Sequence, residues 1–185
     1  MIPAELVSLL DQIQACERGA ERLLADLDGG AINWTPPSGG WSVAQCLTHL
    51  TLMNDFYLRG WLQAAEAARA EDRGPFRGLR PTMLGRWFVR SMEPPYTMKG
   101  RAVAATVPPP NVPRAGLLET FKASHDEYRA LVQVSAGTDV NRVVGPNAIL
   151  PSVKMRLSTV LLIVPAHDRR HLWQAENVKR ALKGA

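Results

Sequence analysis

The sequence predicts an all-α fold, a four-helix bundle built as one domain over residues 1–185. Four segments repeat apolar residues at spacings of three and four, the period of an amphipathic helix. Proline- and glycine-rich stretches separate these segments. No segment alternates apolar and polar residues cleanly enough to read as a strand.

The first helix is expected from about residue 3 to 28. Leu6, Leu9, Ile13, Cys16, Ala20, Leu23 and Leu27 form its core-facing stripe, and Gly29-Gly30 ends it. The run Asn33-Trp34-Thr35-Pro36-Pro37-Ser38-Gly39-Gly40 carries turn chemistry. The second helix opens at Ser42, an N-cap with Gln45 in capping-box position, and extends to about Ala70. Cys46, His49, Met53, Phe56 and Gly60 fall on one of its faces.

Residues 71–113 form a long irregular link, because Gly74-Pro75, Pro81, Pro94-Pro95 and Pro108-Pro109-Pro110 exclude long regular elements. A short helix from Thr82 to Met92 would carry Leu84, Trp87 and Phe88 inward. A link of this length often serves as a lid or a pocket wall. Trp87, Phe88 and Met98, if exposed, offer a homodimer contact or such a lid. The third helix is expected over about Arg114 to Val134, with Leu117, Phe121, Ser124, Tyr128 and Leu131 inward. The fourth spans about Ser152 to Leu182, on a stripe of Leu157, Val160, Val164, His167, His171, Gln174 and Val178. The long link permits a crossover, so the connectivity need not be up-down-up-down.

Composition narrows the function classes. Apolar residues make up 46% and charged residues 21%, an ordinary balance for a globular chain. No stretch approaches the roughly 20 apolar residues of a membrane span, and the N-terminus lacks the pattern of a signal peptide. The expectation is a cytoplasmic, bacterial-type protein without a membrane partner. Two isolated cysteines, Cys16 and Cys46, suit a reducing compartment. The net charge of +5 would attract anions, but the arginines from Arg73 to Arg114 are scattered and no docking motif accompanies them. Specific nucleic-acid binding is therefore not expected.

The histidines carry the chemistry. His167 and His171 are spaced i, i+4, so both rings project from one helix face and can meet one ion. Burying such rings without partners costs roughly 1–3 kcal/mol each. The pair reads either as metal ligands or as a polar patch. His49, between Cys46 and Met53, reads either as a ligand or as a hydrogen-bonded core residue. Three imidazoles with open positions would suit Zn²⁺ or Ni²⁺. His125, beside Asp126 and Glu127, reads as a surface or edge residue. Asp168 points off the histidine face and is expected in solvent or in a structural role. Cys46 reads as a buried apolar residue or a fourth ligand, and Gln174 as a partner to an imidazole N–H or a packing residue. Arg169 and Arg170 read as solvated or ion-paired side chains, or as contacts to a cofactor's carboxylate. Trp41, Trp61, Trp87 and Trp173 belong to the core or to a pocket wall. The run His167-Asp168-Arg169-Arg170-His171 differs from a zinc-protease helix, because Asp replaces Glu and no third ligand follows.

The segment from Gly40 to Leu50, with Trp41-Ser42 seven residues ahead of His49, resembles a segment of the DinB/YfiT-like metalloenzyme family. The stretch from Ala166 to Ala175, with His167, His171 and Gln174, resembles that family's C-terminal H-x-x-x-H-x-x-Q helix. The resemblance implies a four-helix bundle of up-down-down-up connectivity. It also implies a metal site at His49, His167 and His171. Relatives include thiol-dependent transferases, and others are thought to be hydrolases. The resulting expectation is a metal-dependent enzyme acting on a small molecule, with a low-molecular-weight thiol as co-substrate, or a hydrolase. The alternatives are a non-catalytic, metal-stabilised structural or stress-response module and a metal-free bundle that binds an apolar ligand.

Overall fold

The computed structural model describes residues 1–96, 101–147 and 152–184. Three long helices dominate it: α1 (Ala4–Leu24), α2 (Val43–Ala70) and, last in the chain, α6 (Leu157–Lys183). Shorter helices lie between them: α3 (Met83–Met92), α4 (Leu117–Ala123) and α5 (Asp126–Ser135). Helix α2 packs against α4, α5 and α6, while α1 and α3 pack against α6. No helix is long and apolar enough to cross a membrane among the described residues.

The stripe predicted for α1 is buried throughout, from Leu6 to Leu23. The helix itself ends at Leu24, and Leu27 is buried from the turn that follows. The N-terminus of α2 is fixed by its capping box. The Gln45 backbone N–H donates to Ser42 Oγ at 3.2 Å, and the Ser42 N–H donates to Gln45 Oε1 at 3.0 Å. Beyond His49 the inward face of α2 departs from the predicted one. Asn54, Leu58, Trp61, Ala65 and Ala68 are buried, whereas Phe56 and Gly60 are exposed. These buried residues keep a three-four spacing down the rest of the helix, and the stripe through Phe56 is only its flank.

Helix α3 presents a different face from the one predicted. Leu84 and Trp87 are exposed, and Gly85 is the buried position. A Cβ at Gly85 would lie 2.6 Å from Thr159 Oγ1, so the absent side chain lets α3 approach α6 closely. Phe88 is packed against the core. Met98 lies outside the described residues.

The single third helix expected over 114–134 is two helices. Ser124 Oγ donates to the Phe121 carbonyl, a side-chain bond that competes with helix continuation, and the chain turns at Ser124-His125 before α5 begins. Helix α6 starts at Leu157, later than expected. Ahead of it β1 (Val144–Pro146) and β2 (Lys154–Arg156) form an antiparallel hairpin, with Gly145 opposite Met155. Strands of three residues are too short for alternation to show in sequence.

Pro165 lies inside α6. It has no N–H to give to the Leu161 carbonyl one turn earlier. Tyr128 Oη, fully buried, donates to that carbonyl at 2.5 Å and replaces the missing bond.

The apolar core divides into two clusters at one level of the molecule. One contains Ile13, Leu58, Tyr128 and Val164; the other contains Cys16, Leu50, Phe121 and Leu172. Along each of α1, α2 and α6, and across the α4–α5 break, the division falls within a turn or two. A buried polar layer occupies it: Glu17, Thr51, Asn54, Ser124, His125, Asp168 and His171.

Candidate metal centre

His49 is carried by the second turn of α2, whose position the Ser42 cap sets. His167 and His171 stand one turn apart on α6. One ring nitrogen from each lies within 4.8 Å of the others, and His167 Nε2 is 3.1 Å from His171 Nε2. The structure thus brings together all three histidines singled out in the sequence.

The outward ring nitrogens of His49 and His171 are held. His49 Nδ1 is 2.7 Å from the Thr106 carbonyl, which can only accept, so Nδ1 carries the proton. His171 Nδ1 donates to Gln174 Oε1 at 3.0 Å. Both rings are therefore fixed in the tautomer that leaves an Nε2 lone pair facing the cluster. Gln174 is the N–H partner that its spacing allowed. Thr106 was not foreseen: its contribution is a backbone carbonyl in a short 3₁₀ turn, Ala104–Thr106, inside the proline-rich link.

Electrostatics act in the same direction. Burial pushes the His49 imidazole down, with partial opposition from the Thr106 hydrogen bond. Burial and the neighbouring His171, His49 and Arg170 hold His167 well below the ordinary histidine range. His171 is pushed down to about 3, chiefly by burial and then by His49 and Arg170. Metal ligation needs neutral imidazoles, and this pocket supplies them. The donor set fits a divalent ion: three neutral nitrogens converge, and two have their far sides hydrogen-bonded.

Trp41 walls the site, its ring 4.6 Å from that of His49 and 5.7 Å from that of His171. Tyr96 Oη donates to Gln174 Oε1 at 3.2 Å, so that one amide oxygen serves both Tyr96 and His171. The Arg170 guanidinium lies 3.5 Å from the centroid of the Tyr96 ring.

The model of the DinB superfamily matches residues 12–175, a span that includes α2, the link and the three histidines. The chain belongs to the DinB superfamily. Comparisons with curated proteins and with solved structures found no match.

Other residues of this DinB chain divide between expectation and correction. Cys46 is wholly buried, burial pushes its thiol up, and it stays outside the histidine group. Arg169 pairs with Glu93, its Nε donating at 2.9 Å. Trp61 is core, Trp87 is exposed, and Trp173 packs edge-on to Tyr96.

His125 is not at the surface. It is fully buried, with Nδ1 2.9 Å from Glu17 Oε1 and Nε2 3.0 Å from Asp168 Oδ2. Asp168 is likewise buried, not solvated. Acidic neighbours in sequence made His125 look exposed, but Asp126 and Glu127 open α5 at its N-terminus, while His125 precedes it and turns inward. The available signal was Glu17, an acid beside the apolar stripe of α1, and Asp168, an acid beside a buried histidine.

Proposed function

We propose that this DinB-superfamily chain is a metal-dependent enzyme acting on a small molecule, with His49, His167 and His171 holding one divalent ion, zinc or nickel. The reading rests on one observation. Three histidines from two helices converge within 4.8 Å, and Thr106 and Gln174 occupy the outward nitrogens of two of them. On the inner side, the Nε2 atoms of His167 and His171 lie 3.1 Å apart, close enough to share one proton or one ion.

The proposal extends to a single domain over 1–185, folded as a four-helix bundle of up-down-down-up connectivity, in the cytoplasm. It names a low-molecular-weight thiol as co-substrate for transfer to an electrophile, with hydrolysis as the related reaction. When bound, a divalent ion supplies Lewis acidity that lowers the pKa of a thiol or a water. The chain's own residues do the rest. Thr106 and Gln174 keep two imidazoles oriented, Trp41 shields them from water, and Tyr96 holds Gln174 in place. The deep burial of His49 and His171 favours a second reading, a metal-stabilised structural or stress-response module without catalysis.

Metal analysis after reconstitution with zinc and with nickel tests the site. One ion per chain is expected, and its loss in His171→Ala with helix content retained. No uptake of either ion would overturn the assignment. Thiol-transfer assays against alkyl and aryl electrophiles then separate enzyme from structural module. A metal-loaded protein inert with every thiol and every ester tried would favour the module.

A further inference from the structure

Helices α2, α3 and α6, with Asn147, line a half-open cavity of about 50 Å³ beside the histidines. Met53, Leu58, Phe88, Met92 and Ile163 supply its apolar walls, and His167 closes one side. Among the described residues, no Asp, Glu, Lys or Arg lines it. Apart from His167, its polar groups are engaged within the protein: Asn54 Nδ2 donates to Ser124 Oγ at 3.0 Å, and both Tyr57 Oη and Asn147 Nδ2 lie against Met155 Sδ.

We propose that this cavity seats the apolar end of a small uncharged substrate, an alkyl chain of a few carbons, with the reacting end at His167. The placement of the reacting end rests on the metal-site reading; the occupancy of the cavity does not. A charged group entering here would lose its hydration and meet no counter-charge, which excludes ionic chain ends. A single water needs about 10–15 Å³ of such space, so the cavity at rest admits a chain of a few heavy atoms. Met53 and Met92 are unbranched and rotate readily, which lets the walls yield to a somewhat larger group. His167 belongs both to this wall and to the three-histidine cluster, so a molecule seated in the cavity has one end against the cluster.

Straight-chain alkanols from ethanol to hexanol are the probes. Binding is read from the ¹³C-methyl NMR shifts of the methionines, assigned by Met53→Leu and Met92→Leu. Affinity should rise about three- to fourfold per added methylene until the cavity is filled, then level off. The shifts should centre on Met53 and Met92 and spare the exposed Met83. Ile163→Trp, which fills the space, should weaken butanol binding at least tenfold. Met92→Trp, on the short and less buried α3, provides the same test if the first variant does not fold. A flat series, or shifts centred on Met83, overturns the proposal. The same samples are titrated with zinc. Zinc uptake without the alkanol response overturns the cavity assignment and leaves the metal site standing. The alkanol response without uptake of zinc, or of nickel in a parallel titration, supports the cavity and overturns the metal site.

Discussion

Asp168 Oδ2 lies 3.0 Å from His125 Nε2, and both side chains are almost wholly withdrawn from water. Because Glu17 faces the other ring nitrogen, each nitrogen of His125 has a carboxylate as its partner. Carboxylates accept, so both nitrogens donate and the ring is an imidazolium. Arg129 adds a further cation on Glu17. This ion cluster ties α1 to α6 at the start of α5, one residue along α6 from His167.

Removing one partner leaves a buried charge without compensation. Asp168→Ala should lower stability by about 3–5 kcal/mol, read as a shift in the urea midpoint. His125→Ala should cost a similar amount. A loss under about 1 kcal/mol for either would mean that the cluster is not ionised as its geometry requires.

The cluster also sets a pH dependence. Burial alone would push the His125 pKa down, but the charge and hydrogen bonds of Asp168 and Glu17 outweigh it and raise the pKa from 6.5 to about 9. A raised histidine pKa stabilises the fold fully below 6.5, and that contribution is lost as pH rises through about 9. Glu17 behaves oppositely. Burial would raise its pKa, yet bonds from His125 and Arg129 bring it below 4.5, so its contribution is present above 4.5 and lost as pH falls through the lowered value. Urea midpoints should therefore be highest near pH 6.5 and fall toward pH 9.5, while below pH 6.5 the depressed imidazoles of His49, His167 and His171 lower them. His125→Gln should flatten the alkaline decline, and an unchanged decline would assign it to other groups.

Tyr128→Phe removes only the hydroxyl that serves the Leu161 carbonyl. The ring stays, so packing is conserved, and the change leaves a buried acceptor without a donor. A loss of about 1–3 kcal/mol is expected in thermal or urea unfolding. Pairing it with Pro165→Ala, which restores the backbone N–H, should recover much of that loss. If the two changes simply add, the phenol does not stand in for the proline.

Gln174→Ala frees His171 Nδ1 and Tyr96 at once. Loss of a ligand's outer hydrogen bond typically costs 10–100-fold in metal affinity. Competition with a chromogenic chelator should show a weakening of that order with helix content unchanged, and Gln174→Glu should restore part of it. Wild-type affinity in Gln174→Ala would show that Nδ1 orientation is irrelevant to binding.

Much of the helical pattern was legible because apolar spacing is a local property. The stripes of α1 and of the C-terminal helix, and the cap at Ser42, could be read directly. What escaped depends on contacts between distant residues. The break at Ser124-His125 follows from a ring drawn between Glu17 and Asp168, which lie on either side of it in the chain by more than 40 residues. The outward turn of Trp87 follows from Gly85 meeting Thr159. In the candidate site, the three histidines and Gln174 could be named from spacing and resemblance, because side-chain identity announces them. The Thr106 carbonyl could not, since every residue has one and only the fold selects which is used.

The bond from Tyr128 to Leu161 makes the continuity of α6 conditional. A peptide cut from residues 157–183 would carry Pro165 without the phenol that compensates for it. It would bend or fray ahead of the histidines. The continuous helix from Leu157 to His171 is thus a product of association between helices. The last helix is completed by its neighbour, and the spacing between its buried upstream half and its two histidines is guaranteed only in the assembled molecule.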